Sequence, residues 1–508
     1  MKAMSKLKDL FLNVFWYKCV LLIFLIPTIL SPAASFNYQL LFVMLGWGAV
    51  LCLHDLLTKR KFLRAPGAVW LIVFLVFFAI SVILNYRVNL SGNVAVWGYT
   101  VIALLLLYPD RSHGDKQKVV RELYTLNNIF ITMTAVLSTV SFCMFVCKYV
   151  NVMTFDGRKY IVGWYQSRLY GLYKNMCYMT SAIGIALIVI QFTIIRVRGG
   201  CRKWYSAFLI CTLVINFLSM CMENAKGAFI SLAVFAATFA FFSVMRWLRM
   251  TQWRKVKSVI TSTVAMILAA VMLIGGIYTL RPVLAYIPSI YEAITYEPVV
   301  EEPTTDKPTT DKPATDKPSS GTVQPKPDKD VIVQESIDRE VPENYGGLTG
   351  RPKIWKFGIE EFCKKPLFGY GANSHTQYKI LEAGLSHFHN IVIQSMVSVG
   401  ALGSIWIAIF FIKRILILLC SIWKRISEDN VYMPVSVGLL SLLFMFLINS
   451  MSEVTILYQA RFTMFLFWMM LGYLTTLLDF QKRKEDVVAE KVADYLDTKL
   501  TKANVNEK

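Results

Sequence analysis

The chain has 508 residues, 56% of them hydrophobic, and a mean hydropathy of +0.50. That is too apolar for an ordinary soluble domain, whose apolar share is roughly 45–50%. The formal net charge of +20, from 53 basic against 33 acidic residues, would suggest nucleic acid on a soluble protein. Here the basic residues collect in alternate connections between apolar runs, so the charge reports membrane topology and no nucleic-acid partner is expected.

Runs of roughly 17–25 apolar residues recur, the length a helix needs to cross about 30 Å of hydrocarbon. They fall near 14–33, 36–53, 67–85, 94–109, 124–149, 176–195, 205–222, 228–245, 258–280, 391–412, 432–450 and 461–479. The expectation is an all-α polytopic membrane protein with about 12 transmembrane helices. Lys59, Arg60, Lys61 and Arg64 mark one basic connection, and Arg111, Lys116, Lys118 and Arg121 the next. Arg196, Arg198, Arg202 and Lys203 follow, then Arg246, Arg249, Arg254, Lys255 and Lys257, then Lys413, Arg414, Lys424 and Arg425. The positive-inside rule puts these connections and both termini in the cytoplasm. The longest loop, about 282–388, is then outside; it carries 12 Lys/Arg against 16 Asp/Glu and lacks the basic excess.

The first apolar run follows Lys2, Lys6 and Lys8 and ends in Pro32-Ala33-Ala34, a pattern shared with cleavable signal peptides. Removing it would leave an odd number of spans with the same loop pattern, so the first span is expected to be retained. Nine of the ten cysteines lie in or beside apolar segments, and Cys363 stands alone in the outer loop. Neither a disulfide framework nor a zinc spacing is evident.

Four regions follow. Residues 1–280 form an N-terminal membrane region of about nine helices, 281–388 the outer loop, 389–480 a C-terminal membrane region of about three helices, and 481–508 a charged cytoplasmic tail. Within the loop, residues 303–318 repeat a five-residue unit (PTTDK, PTTDK, PATDK, P), and the Pro/Thr/Asp/Lys-rich composition to residue 330 gives a solvated linker that cannot bury a core. Order is expected to resume near Val333. Residues 351–364 interleave Trp355, Phe357, Ile359 and Phe362 with charges, as a short interfacial amphipathic helix does. Lys365-Pro366 stops it, Gly369-Tyr370-Gly371 makes a turn with close backbone approach, and His389-Asn390 sits at the mouth of the next span.

Cations and imidazoles at a water–lipid boundary are costly unless used. Under this topology Arg168, Lys226, Arg351 and the pair His389-Asn390 gather at the outer face. Two guanidiniums and an ammonium suit a diphosphate, because Arg forks onto phosphate oxygens and Lys acts as a point charge. His375 and His387 read as loop residues, and Glu453, in the last outer turn, is placed to pair with one of the cations or with Arg461. No Asp-x-Asp or Gly-rich phosphate loop points to a nucleotide-sugar donor.

The stretch Arg351, Trp355, Pro366-Leu367-Phe368-Gly369-Tyr370-Gly371, His389-Asn390 and Gly400-Ala401-Leu402-Gly403 resembles the O-antigen ligase/polymerase family. These are bacterial membrane enzymes that handle undecaprenyl-diphosphate-linked glycans. Arg168-Leu169-Tyr170-Gly171 with Asn175 is similar to the family's Arg-x-x-Gly…Asn-Pro-Asn loop, with Met176-Cys177 in place of Pro-Asn. Ala225-Lys226-Gly227-Ala228 is similar to its Ser-Arg-Gly-Ala turn, with Lys for Arg. The resemblance implies a GT-C-like plasma-membrane glycosyltransferase, inverting and metal-independent, that needs no cofactor. It would pass a glycan from undecaprenyl diphosphate to an acceptor, which decides between ligase and polymerase. His389 would be the base, Arg168, Lys226 and Arg351 the diphosphate contacts, and Asn390, Trp355, Gly369 and Gly371 their support. The rival reading, a flippase for lipid-linked saccharides, predicts cations along a central cavity and paired half-molecules, neither of which the sequence displays.

Overall fold

The computed structural model describes residues 9–33, 37–58, 60–109, 114–155, 158–165, 168–173, 179–295, 351–374 and 387–478. His375, Asn175, the 303–330 repeat and the 481–508 tail lie outside the described residues. The helices, in chain order, are α1 (Val14–Ile29), α2 (Asn37–Thr58), α3 (Ala68–Leu84) and α4 (Leu90–Val101). There follow α5 (Lys116–Val146), α6 (Met179–Val197), α7 (Lys203–Glu223), α8 (Lys226–Met250), α9 (Lys255–Leu284) and α10 (Ile287–Thr295). The last are α11 (Arg351–Lys364), α12 (Ile391–Arg425), α13 (Met433–Ser450) and α14 (Phe462–Leu477). A helix satisfies its own backbone hydrogen bonds, which is why apolar runs of this length adopt it in hydrocarbon.

Among the described residues, nine helical stretches, one of them α4 with its continuation to Leu107, are long and apolar enough to cross a membrane. Three shorter apolar helices, α1, α3 and α14, fall on three other segments expected to span. Helices α6 and α13 are buried nearly all round, with 72% and 78% of their apolar windows inside the protein, whereas α9 has only 11%. A helix apolar on every side belongs either in a core or against lipid; the burial assigns α6 and α13 to the first and α9 to the second. Every residue of α14 is buried. Trp468 on α14 packs against Tyr108, Phe410, Phe411 and Phe467, with ring centroids 5.5–5.8 Å apart. Helices α13 and α14 therefore sit inside the bundle, packed among the N-terminal ones.

Two elements depart from the sequence reading. Part of the segment between α5 and α6, expected to be loop, forms a three-stranded antiparallel sheet: β1 (Val150–Phe155), β2 (Arg158–Tyr165) and β3 (Arg168–Gly171), in the order β1-β2-β3. β-Branched and aromatic residues recur there with period two, and Ile161 and Tyr165 on one face of β2 are buried. The second departure is α12, which runs to Arg425 and is broken at Gly400 (φ 69°, ψ −174°).

At one end of the bundle lie the basic connections. There the Arg246 guanidinium donates to the carbonyls of Ile426, Glu428 and Asn430 at 3.2, 2.8 and 3.2 Å, fastening α8 to the α12–α13 connection. At the other end lie the sheet, the α7–α8 turn, α11 and the α13–α14 connection.

Candidate active site at the helix mouths

Asn390 starts α12. Its Oδ1 accepts from the Val392 and Ile393 amides at 2.9 and 3.2 Å, an N-cap that satisfies two orphan donors. Its Nδ2 donates to the Met451 carbonyl at 3.2 Å, fixing the mouth of α12 to the connection after α13. His389, one residue before the cap, is left-handed (φ 51°), a conformation that costs a non-glycine residue energy and that clusters at functional sites.

That backbone aims His389 at Glu453. Its Nδ1 lies 3.0 Å from Oε1, and the Nε2 of fully buried His387 lies 2.9 Å from Oε2. The two imidazoles pack with centroids 4.1 Å apart, and Nη2 of Arg351, at the start of α11, is 3.5 Å from the same Oε1. Burial alone would raise the Glu453 pKa, but hydrogen bonds from His387 and His389 outweigh it and hold the carboxyl well below the usual carboxylate range. Burial pushes His387 down to about 4, against the opposing pull of Glu453 and with Arg461 and His389 acting the same way. An ionised carboxylate only accepts, so His387 donates through Nε2–H and His389 through Nδ1–H. In a neutral imidazole this leaves the lone pair on His389 Nε2, which has no protein partner among the described residues.

The earlier cations come to the same end of the molecule. Arg168, the first residue of β3, donates through Nε to the Glu223 carbonyl that ends α7, at 3.0 Å. Lys226 opens α8 and is exposed. A Cβ on its neighbour Gly227 would lie 3.5 Å from Ser452 Oγ, one residue from Glu453. The connection 449–453 thus touches the mouth of α12 on one side and the mouth of α8 on the other. Among the described residues, Lys226 and the remaining donors of Arg351 have no protein partner.

Other expected residues stand apart from this cluster. Gly369 and Gly371 lie against the Gly400 break, about 16 Å down α12 from His389 at roughly 1.5 Å per residue. Tyr370 and Gly371 donate backbone N–H to Val397 and Ser398 at 2.9 Å each, and Pro366 accepts from Ala401 at 2.7 Å. The glycine turn therefore approaches the broken backbone of α12 itself and satisfies the groups that the break releases, which hydrocarbon would leave unpaired. Trp355 packs beside a buried cluster of Ile354, Tyr370, Phe388, Ile393 and Val397, of which Phe388 lies between the two histidines in sequence. Its indole N–H is buried and without a partner among the described residues.

The reading of His387 as a loop residue misses its burial and its bond to Glu453. The sequence signal for Glu453 is its position, a carboxylate in a short connection between two apolar segments. The ligand atoms of His387, His389 and Glu453 lie within 4.8 Å of one another and could hold a metal ion. Arg351 on the same carboxylate disfavours a second cation there.

The fold and this end-on cluster define a multi-pass membrane protein whose reactive polar groups are collected at the mouths of its helices. Residues 211–408 match the family model described as O-antigen ligase, so this part of the chain is similar to that family. The match takes in Lys226, Arg351, His389 and the Gly400 break, while Arg168 and Glu453 fall outside it. No curated protein matches the chain.

Proposed function

We propose that the protein transfers a glycan from undecaprenyl diphosphate to an acceptor hydroxyl at the outer face of the bacterial plasma membrane, with inversion and without a metal. The observation that carries this reading is the Glu453 carboxylate shared by His389 Nδ1 and Arg351. It fixes the tautomer that makes His389 Nε2 a base, and it does so beside a cation with donors to spare.

The acceptor hydroxyl gives its proton to His389 Nε2 as its oxygen attacks the anomeric carbon. The bond from that carbon to the diphosphate oxygen breaks, and the electron pair leaves with the diphosphate. Arg351, Lys226 and Arg168 stabilise the developing charge. A lipid diphosphate is already a good leaving group, so fixed cations suffice in place of an acid. Attack opposite the leaving group inverts the sugar. Asn390 holds the base in place, and Trp355 backs it.

The test is transfer by purified protein in lipid nanodiscs, with a glycan on undecaprenyl diphosphate as donor and the acceptor varied. His389→Ala should remove product by about 10²–10⁴-fold, the usual worth of a positioned base, while the protein stays folded. Normal product from that variant would refute the role of the base. Net movement of donor across the bilayer in sealed proteoliposomes, without product, would favour a flippase. Transfer to a second lipid-linked glycan marks a polymerase, and transfer to a different terminal acceptor a ligase.

A further inference from the structure

The α7–α8 turn is held from two sides by guanidiniums. Arg168 reaches the carbonyl of Glu223 from the sheet at 3.0 Å. From the last turn of α9, Arg281 Nη1 donates to Asn224 Oδ1 at 2.8 Å. Asn224 is left-handed (φ 52°, ψ 38°) and ends α7, and the next helix opens two residues later at Lys226. Ala225 occupies the N-cap of α8 and has no side chain able to cap, so nothing local to the sequence fixes where α8 begins. The dihedral angles of Asn224 set that start, and Arg281 is the partner that its side chain finds.

We propose that Arg281 is a positioning residue of the donor site. Through Asn224 it fixes the start of α8, and so aims Lys226 and the opening amides of that helix at the diphosphate. This inference rests on the donor reading above. It gives α9, otherwise a peripheral helix that faces lipid along most of its length, a functional contact at its outer end. It also accounts for a lysine serving at this turn: an ammonium on a flexible stem has no fork of its own to orient it, so the backbone beneath must supply the aim.

Undecaprenyl diphosphate is the probe, titrated against the full-length protein in nanodiscs. Arg281→Ala should weaken binding about tenfold, with the apparent Tm within two degrees of wild type. Asn224→Gly keeps the left-handed turn at no steric cost but removes the acceptor, and should weaken binding as much. The double variant should be no weaker than either single one, since both lose the same contact. Arg281→Lys, which retains a donor for Asn224, should recover part of the affinity. Unchanged affinity in Arg281→Ala, or losses that add in the double variant, would overturn the proposal. Failure of the wild-type protein to bind the probe would instead overturn the donor reading itself.

Discussion

Glu453 is shared by His387, His389 and Arg351. With its carboxylate ionised, both imidazoles donate to it and their tautomers follow. Glu453→Gln offers one acceptor and one donor, so one histidine must reverse its tautomer or lose its bond. The expected outcome is a fall in transfer of at least tenfold, as when the orienting carboxylate of a catalytic histidine is amidated. A Glu453→Gln enzyme with the wild-type rate would show that His389 needs no orienting partner. Buried His387 adds a pH signature. Its folded pKa, about 4, lies below the unfolded value of roughly 6.5, so the unfolded chain binds the extra proton first. Its stabilising contribution is complete above pH 6.5 and is lost as pH falls through about 4. Glu453, also depressed, extends that loss to lower pH. The apparent Tm should therefore drop between pH 7 and pH 4.5, and His387→Gln should flatten that drop.

At the scale of elements, α12 shows how far the sequence can be read and where it stops. Helix α11 coincides with the stretch 351–364 expected from its alternation of aromatic and charged residues. The start of α12 is equally legible, because Asn390 before an apolar run is a capping signal. The break at Gly400 is not, since the segment reads as one apolar run and the reason for the break lies in a loop some thirty residues earlier. Gly369-Tyr370-Gly371 announces a close approach without saying to what. The contact is mutual: a Cβ on Gly400 would lie 2.2 Å from the Leu367 carbonyl, and one on Gly369 would lie 2.4 Å from the Val397 carbonyl. Gly400→Ala should cost roughly 1–3 kcal/mol through its left-handed backbone alone, read as a lower apparent Tm and a lower yield of folded protein. A variant as stable as wild type would mean that the break is not held by its loop.

For the whole molecule, hydropathy gives the helical class, and basic connections collect at one end of the bundle as the sequence leads one to expect. The neighbours of each helix are not legible, because a helix apolar on every side carries no stripe to say what it faces. That is why Arg168 and Lys226 are recognisable as candidates while the approach of the α7–α8 turn to the connection that carries Glu453, through Gly227 and Ser452, is not. The proposed site occupies one end of the bundle, and the Arg246 contacts lie at the other. Arg246→Ala removes three charge-assisted bonds at the end opposite the site. It should lower the apparent Tm by several degrees and leave the transfer rate per folded molecule unchanged. A selective loss of rate with stability intact would contradict that division.

The bond between Asn390 and Met451, with Glu453 just beyond it, bears on how the protein is made. Every cation proposed to hold the donor, and the base itself, emerges from the ribosome before the carboxylate that sets the tautomer of that base. A nascent chain that has just exposed His389 already carries Arg168, Lys226 and Arg351, yet its imidazole remains unpoised until some sixty further residues have been made and inserted. Synthesis order therefore places the pairing of His389 with Glu453 after every other residue of the proposed site has been made.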